Sequence, residues 1–203
     1  MLEQFQIPDD VAIRVDQSLM RSTVESVFGA LGLSQPDAQQ SADVLIYADL
    51  RGYDTHGVSN MLRVYVGWVE DGQIDVTSPW EVIRERSATC TIDAKFTHGG
   101  VIGPKAMAMA IERAKTCGVG IVNILNGGHY GAAAYTAAMA LEHDMIGMTV
   151  SSGGGRVIIP MGGRDPWMGT NPFSMAAPAG EEPPFCIDMA SSVTDRKSTR
   201  LNS

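Results

Sequence analysis

Residues 48–59, Ala48-Asp-Leu-Arg-Gly-Tyr-Asp-Thr-His-Gly-Val-Ser59, separate two helical patterns. On the N-terminal side, Ala38, Ala42, Leu45 and Ile46 recur at helical spacing after Ser34, a good cap, with Pro36 in the first turn and Asp37 suited to the helix dipole. On the C-terminal side, Met61, Leu62, Tyr65, Val66 and Val69 carry the same period, with Ser59 as the expected cap and Asp71-Gly72 as the stop. Between the two lie Arg51, Asp54, Thr55 and His56, bracketed by Gly52 and Gly57. A cation, a hydroxyl and an imidazole on a bend held between rigid elements suit a small-molecule site. The competing reading is a structural histidine on a helix connection.

Working outward, Val11, Val15, Leu19, Val24, Val27, Phe28 and Leu31 predict a helix from Val11 to Leu31, stopped at Gly32. Residues 1–73 are therefore expected to form a helical domain. From Ile74 the texture changes to short apolar or alternating bursts between turn residues. Strands are expected at Ile74–Val76, Trp80–Ile83, Cys90–Ala94, Met145–Ser151, Ser174–Ala177 and Phe185–Ile187, with a buried strand at Val119–Leu125. Pro104 is read as opening a helix that stops at Gly118, and Ala132–His143 as an alanine-rich helix. The mixture gives an α/β (α+β) fold class with a second domain over 74–194. Asp195–Ser203 has one apolar residue, Leu201, and follows abruptly on a strand-like segment. It is expected to be a disordered or foreign tail on a truncated chain.

The chain has 203 residues, 44% of them hydrophobic, and a net charge of 15 − 23 = −8. That charge argues against nucleic acid and anionic membranes as partners. No apolar run approaches the roughly 18–20 residues that span a bilayer, and the N-terminus lacks a signal-peptide pattern. Cys90, Cys117 and Cys186 are too few and too scattered for a disulfide framework or a metal knuckle. A cytoplasmic protein is expected. His56, His98, His129 and His143 show no metal-binding spacing, so no metal is expected.

Three further stretches carry possible chemistry. Asn126-Gly-Gly-His-Tyr-Gly131 lies between a strand and a helix start, where glycines admit a ligand to the backbone and free amides attract phosphate. It is not the G-x-G-x-x-G fingerprint, so a Rossmann site is absent; a glycine-rich turn with a surface histidine remains the alternative. From Gly153 to Pro172 runs a long Gly-, Pro- and Arg-containing connection, of a length that is usually functional or disordered. Asp188, flanked by apolar residues in Phe185-Cys-Ile-Asp-Met-Ala190, is expected to be buried and to need a partner. A histidine is the obvious candidate, with a backbone turn or an arginine as the alternative.

Together, Asp49–Val58, Asn126–Ala132, Pro160–Pro166, Gly169–Pro172 and Ile187–Ser191 come in the order and at about the spacing of the second, non-Rossmann type of malate/L-lactate dehydrogenase, which the chain resembles. That group also contains ureidoglycolate and sulfolactate dehydrogenases and cyclic ketimine reductases. The resemblance implies a helical domain beside a cofactor domain on a largely antiparallel sheet, a homodimer, and NAD- or NADP-dependent oxidoreduction of small 2-hydroxy or 2-oxo acids. A cyclic imino acid as substrate, or a non-catalytic cofactor-binding fragment, are the alternatives. It implies His56 as the acid/base, Thr55 as its hydroxyl neighbour, Asp188 as its orienting carboxylate and Arg51 as the substrate-carboxylate clamp. His129, Tyr130, Gly131, Ala132 and Ala133, with Thr170, Asn171 and Pro172, would contact the cofactor, and His129 ranks second for proton transfer.

Overall fold

The computed structural model describes residue 11, residues 13–153 and residues 155–192. The proposed tail at 195–203 lies outside the described residues, as does Gly154 in the long connection.

Three helices come first: α1 (Gln17–Ala30), α2 (Gln35–Leu50) and α3 (Val58–Glu70). The predicted first helix is shorter than its apolar pattern. Asp16 caps it by accepting from the Leu19 amide at 2.9 Å, and Val11 and Val15 stay exposed upstream of that cap. Ser34 caps α2 as expected. The apolar faces of α1, α2 and α3 meet around Val24, Phe28, Leu45 and Tyr65, and Val101 closes the same core from the next helix.

Strands β1 (Glu81–Glu85) and β2 (Thr89–Asp93) form an antiparallel hairpin. Helix α4 (Gly99–Cys117) then leads to β3 (Ile121–Leu125), which runs parallel to β2, as a crossover connection requires. Pro104 does not open α4. The helix starts five residues earlier, where His98 Nδ1 accepts the Gly100 amide at 3.1 Å, and the proline is carried inside it. Nor is β3 a buried strand: Ile121, Ile124 and Leu125 are exposed, because α4 covers only one face of this sheet. Cys90, Ile92, Ile102 and Ala106 fill the space between helix and sheet. Ile74–Val76 is not a strand either; Asp75 makes one isolated bridge to Thr97.

Helix α5 (Ala133–Ala138) continues into a 3₁₀ stretch, Met139–His143, and packs on a second sheet. That sheet is the antiparallel meander β4 (Gly147–Val150), β5 (Pro172–Ala177) and β6 (Phe185–Ala190). Among the described residues three of the four strand pairings are antiparallel, which agrees with the expected α/β class on a largely antiparallel, non-Rossmann sheet. No helix among the described residues is long and apolar enough to cross a membrane.

Candidate functional site

The bend after α2 is a single 3₁₀ turn, Asp54–His56, and its aim is set by Asp49. Asp49 Oδ2 accepts the Val58 amide at 3.1 Å, so the carboxylate from the end of α2 caps the start of α3. The expected cap, Ser59, has no such role; the N-cap position is Gly57, which has no side chain to offer. A Cβ at Gly57 would stand 1.7 Å from Asp49 Oδ1, so glycine is required for the carboxylate to reach the helix end. Burial and the neighbouring Asp54 charge push the Asp49 carboxyl up, against the Val58 bond that pulls it down.

On this turn Thr55 Oγ1 lies 2.8 Å from His56 Nδ1, which leaves Nε2 as the ring nitrogen free to face a ligand. The His56 ring stacks on His129, with centroids 5.3 Å apart and planes 22° apart. His129 arrives from a different part of the chain, the loop after β3, and it is pinned there by Tyr65. The Tyr65 hydroxyl lies 2.7 Å from His129 Nδ1, and Trp68 lies edge-on to the same ring at 6.3 Å. Behind Tyr65, at 4.6 Å and nearly perpendicular, is the buried His98. The α4 start presses directly on the His129 backbone: a Cβ at Gly99 would sit 2.1 Å from the His129 carbonyl oxygen. Local sequence accounts for Thr55 beside His56, Tyr65 near Trp68 and His98 beside Gly99, and for none of the other contacts.

Burial dominates the electrostatics. It lowers His56 below the usual histidine value, with the Asp188 charge opposing. Burial, then the proximity of His56, brings His129 down to about 4. The site thus holds two neutral imidazoles near pH 7.

Asp188 is half-buried in β6, and its partner is backbone rather than histidine. Its Oδ2 accepts the Ala134 amide at 2.7 Å, capping α5. Its effect on His56 is through charge, with no hydrogen bond between them among the described residues. This also alters the expected phosphate site, since the start of α5 already carries a carboxylate. Arg51 is exposed and stacks on Tyr47, its Cζ 3.6 Å from the ring centroid. Burial pushes the Tyr47 and Tyr53 hydroxyls up, with the Arg51 charge opposing and the Asp188 charge reinforcing, which puts these four around one corner of the site.

The remaining expected residues divide into two groups. Tyr130 is half-buried beside Thr149, and Gly131, Ala132 and Ala133 are buried, so a ligand would meet the backbone only of the last three. Thr170 is exposed, Asn171 binds Gly169 and Ser192 through its side-chain amide, and Pro172 opens β5. The sequence reading missed Tyr65, which it took for core, and Asp49. A tyrosine hydroxyl in the middle of an apolar helix face was the available signal, because such a hydroxyl needs a partner.

The malate/L-lactate dehydrogenase family model matches residues 15–202. The chain belongs to that family. It is 40% identical over 185 residues to a malate dehydrogenase of Pyrococcus abyssi, covering 91% of this chain and 50% of that protein. It is 36% identical to a malate/(S)-sulfolactate dehydrogenase of Methanothermus fervidus, covering 87% of this chain and 51% of that one. The structure of a malate dehydrogenase from Pyrococcus horikoshii superposes with a TM-score of 0.88 at 38% identity, over 95% of this chain and 55% of that chain. The chain therefore spans about half the length of the relatives it matches.

Proposed function

We propose that the chain is the part of an NAD- or NADP-dependent dehydrogenase that carries the proton-transfer machinery for small 2-hydroxy and 2-oxo acids. The observation that carries this reading is the stacked His56–His129 pair, with Thr55 on one imidazole and Tyr65 on the other. Family membership supports the reaction class, since the named relatives act on malate and sulfolactate.

His56 is the proton carrier. Burial keeps it neutral near pH 7, and Thr55 at Nδ1 fixes the ring so that Nε2 meets the ligand. In the oxidative direction it takes the hydroxyl proton of the substrate; in the reductive direction it returns one to the carbonyl oxygen. The negative charge of Asp188 stabilises the imidazolium that forms between these events. Arg51, braced on Tyr47, offers a planar fork to the substrate carboxylate. The nicotinamide group, when bound, accepts or supplies the hydride at the carbinol carbon. The residues present fit such a group beside His129: a Cβ at Gly128 would meet nothing within 4 Å, so the backbone there is open to a ligand. The backbone of His129, Tyr130, Gly131, Ala132 and Ala133 and the exposed segment Thr170, Asn171 and Pro172 are its proposed contacts.

Residues 1–73 would form the substrate and dimerisation unit and 74–194 the cofactor unit of a cytoplasmic homodimer. The test is calorimetric titration of the 203-residue chain with NADH and NADPH, followed by assay of the whole gene product with 2-oxo acids. Binding and turnover support the reading; binding without turnover leaves a cofactor module; absence of both overturns the reading.

A further inference from the structure

The hydroxyl of Tyr65 and the backbone amide of Gly131 converge on one atom, His129 Nδ1, at 2.7 and 3.4 Å. The amide can only donate. The hydroxyl has two options, to donate to a bare Nδ1 or to accept from a protonated one. In the second case its own proton would need another acceptor. Tyr65 is 1% exposed, and the imidazole is the one acceptor its hydroxyl has among the described residues. A buried donor left unmade is costly, and the Gly131 amide would at the same time face an N–H. The Gly131 amide also approaches the Tyr65 oxygen and has that second acceptor, but the Tyr65 proton is satisfied only if Nδ1 carries none. Burial pushes the Tyr65 hydroxyl far up, so it keeps its proton to donate.

We propose that Tyr65 is a positioning residue that holds His129 as the neutral Nε2–H tautomer, making His129 a hydrogen-bond donor in the site and leaving proton uptake to His56. The role toward substrate rests on the dehydrogenase reading; the tautomer does not. A fixed Nε2–H suits an acceptor oxygen on a bound acid, whether carboxylate or carbonyl. It does not suit removal of a hydroxyl proton, because the one basic nitrogen of the ring is already occupied by Tyr65 and Gly131. The titratable groups facing His129 are His56 on the 3₁₀ turn and Tyr65 on α3, with His98 at the start of α4 behind Tyr65. None is a carboxylate, so nothing in direct contact favours the imidazolium.

The test is long-range proton–nitrogen correlation spectroscopy on the 15N-labelled 203-residue chain, with His129→Gln to assign the ring. At pH 7 the expected result is a neutral His129 with its proton on Nε2 and an acceptor-type Nδ1 resonance. In Tyr65→Phe the Nδ1 resonance should move toward the tautomer-averaged position and the His129 titration should shift to higher pH. An Nδ1–H tautomer or an imidazolium in the unaltered chain at pH 7 overturns the proposal, as does an unchanged His129 signature in folded Tyr65→Phe. If Tyr65→Phe does not fold, the tautomer in the unaltered chain decides alone. Because no readout depends on turnover, failure here and failure of the dehydrogenase reading are separable.

Discussion

The imidazoles of His56 and His129 lie face to face, 5.3 Å between centroids and 22° between planes. Two charged rings at that separation repel, so protonating one disfavours protonating the other. His129 is the more strongly lowered of the two, to about 4, and the charge of Asp188 favours the cation on His56. The pair is therefore asymmetric, and this supports the proposal that His56 is the ring that exchanges a proton. His56→Ala is expected to lower turnover of 2-oxo acids by roughly 100- to 10,000-fold, the usual contribution of a positioned acid/base. His129→Gln, which keeps a side-chain donor, should lose less of kcat than His56→Ala, as steady-state kinetics of the two variants would show.

Asp188 acts on both α5 and His56, and Asp188→Asn separates the two effects. Asn keeps an oxygen acceptor, so the loss of the charge at the α5 N-terminus should destabilise the fold by roughly 0.3–1 kcal/mol, measured by urea denaturation. The carboxylate charge raises the His56 pKa, so removing it lowers that pKa further. In the proposed mechanism hydroxy-acid oxidation needs neutral His56, and its acid limb should move to lower pH in the variant. Oxo-acid reduction needs the protonated ring, and its alkaline limb should move the same way. A pH–rate profile unchanged in both directions would remove Asp188 from the mechanism.

His98 and His129 both fall from 6.5 to about 4 on burial. The folded chain thus binds their protons less readily than the unfolded chain, and stability rises with pH wherever the unfolded state holds more protons. Stability is expected to be full above about pH 6.5 and to decline as pH falls toward 4, on the order of 1.4 kcal/mol per pH unit for each histidine before their mutual coupling is counted. Denaturation midpoints across pH 7.5 to about 4 check this, and His98→Gln should flatten the slope.

Gly57 is required by the approach of Asp49 rather than by its own backbone angle. Gly57→Ala should cost roughly 1–3 kcal/mol, the range for core-type clashes, because the new Cβ displaces the carboxylate that holds the Val58 amide. The double variant Asp49→Ala with Gly57→Ala should lose less than the sum of the two single changes. Additive losses, read from the same denaturation series, would show that the two residues act independently.

Local signals in the sequence were reliable where the partner lay a few residues away. Ser34 before Pro36 located the start of α2, and Thr55 beside His56 was visible as a pair. The alternation that predicted strands found β2 and β5, because their neighbours bury every second residue; β6 was found from its apolar run, since its exposure does not alternate. The failures were non-local. Asp49 caps a helix nine residues downstream, a reach that only the turn between α2 and α3 allows, so Ser59 looked the better cap. β3 is as apolar as a buried strand, yet four of its five residues are exposed, since its composition does not reveal how many of its faces are packed. The approach of His129 to His56 and Tyr65 depends on α4 carrying the chain across β2 and β3, and no spacing in the sequence encodes that distance. Asp188 was correctly expected to need a partner, and the partner proved to be an amide brought by α5.

The central claim, that His56 moves the proton in a nicotinamide-dependent reaction of small 2-hydroxy and 2-oxo acids, is tested most directly by one measurement. The whole gene product and its His56→Ala variant are assayed side by side for oxidation of NADH and NADPH with a panel of 2-oxo acids. The expected result is turnover by the unaltered enzyme that falls by at least roughly 100-fold in the variant while cofactor binding persists. Turnover undiminished by His56→Ala would contradict the account.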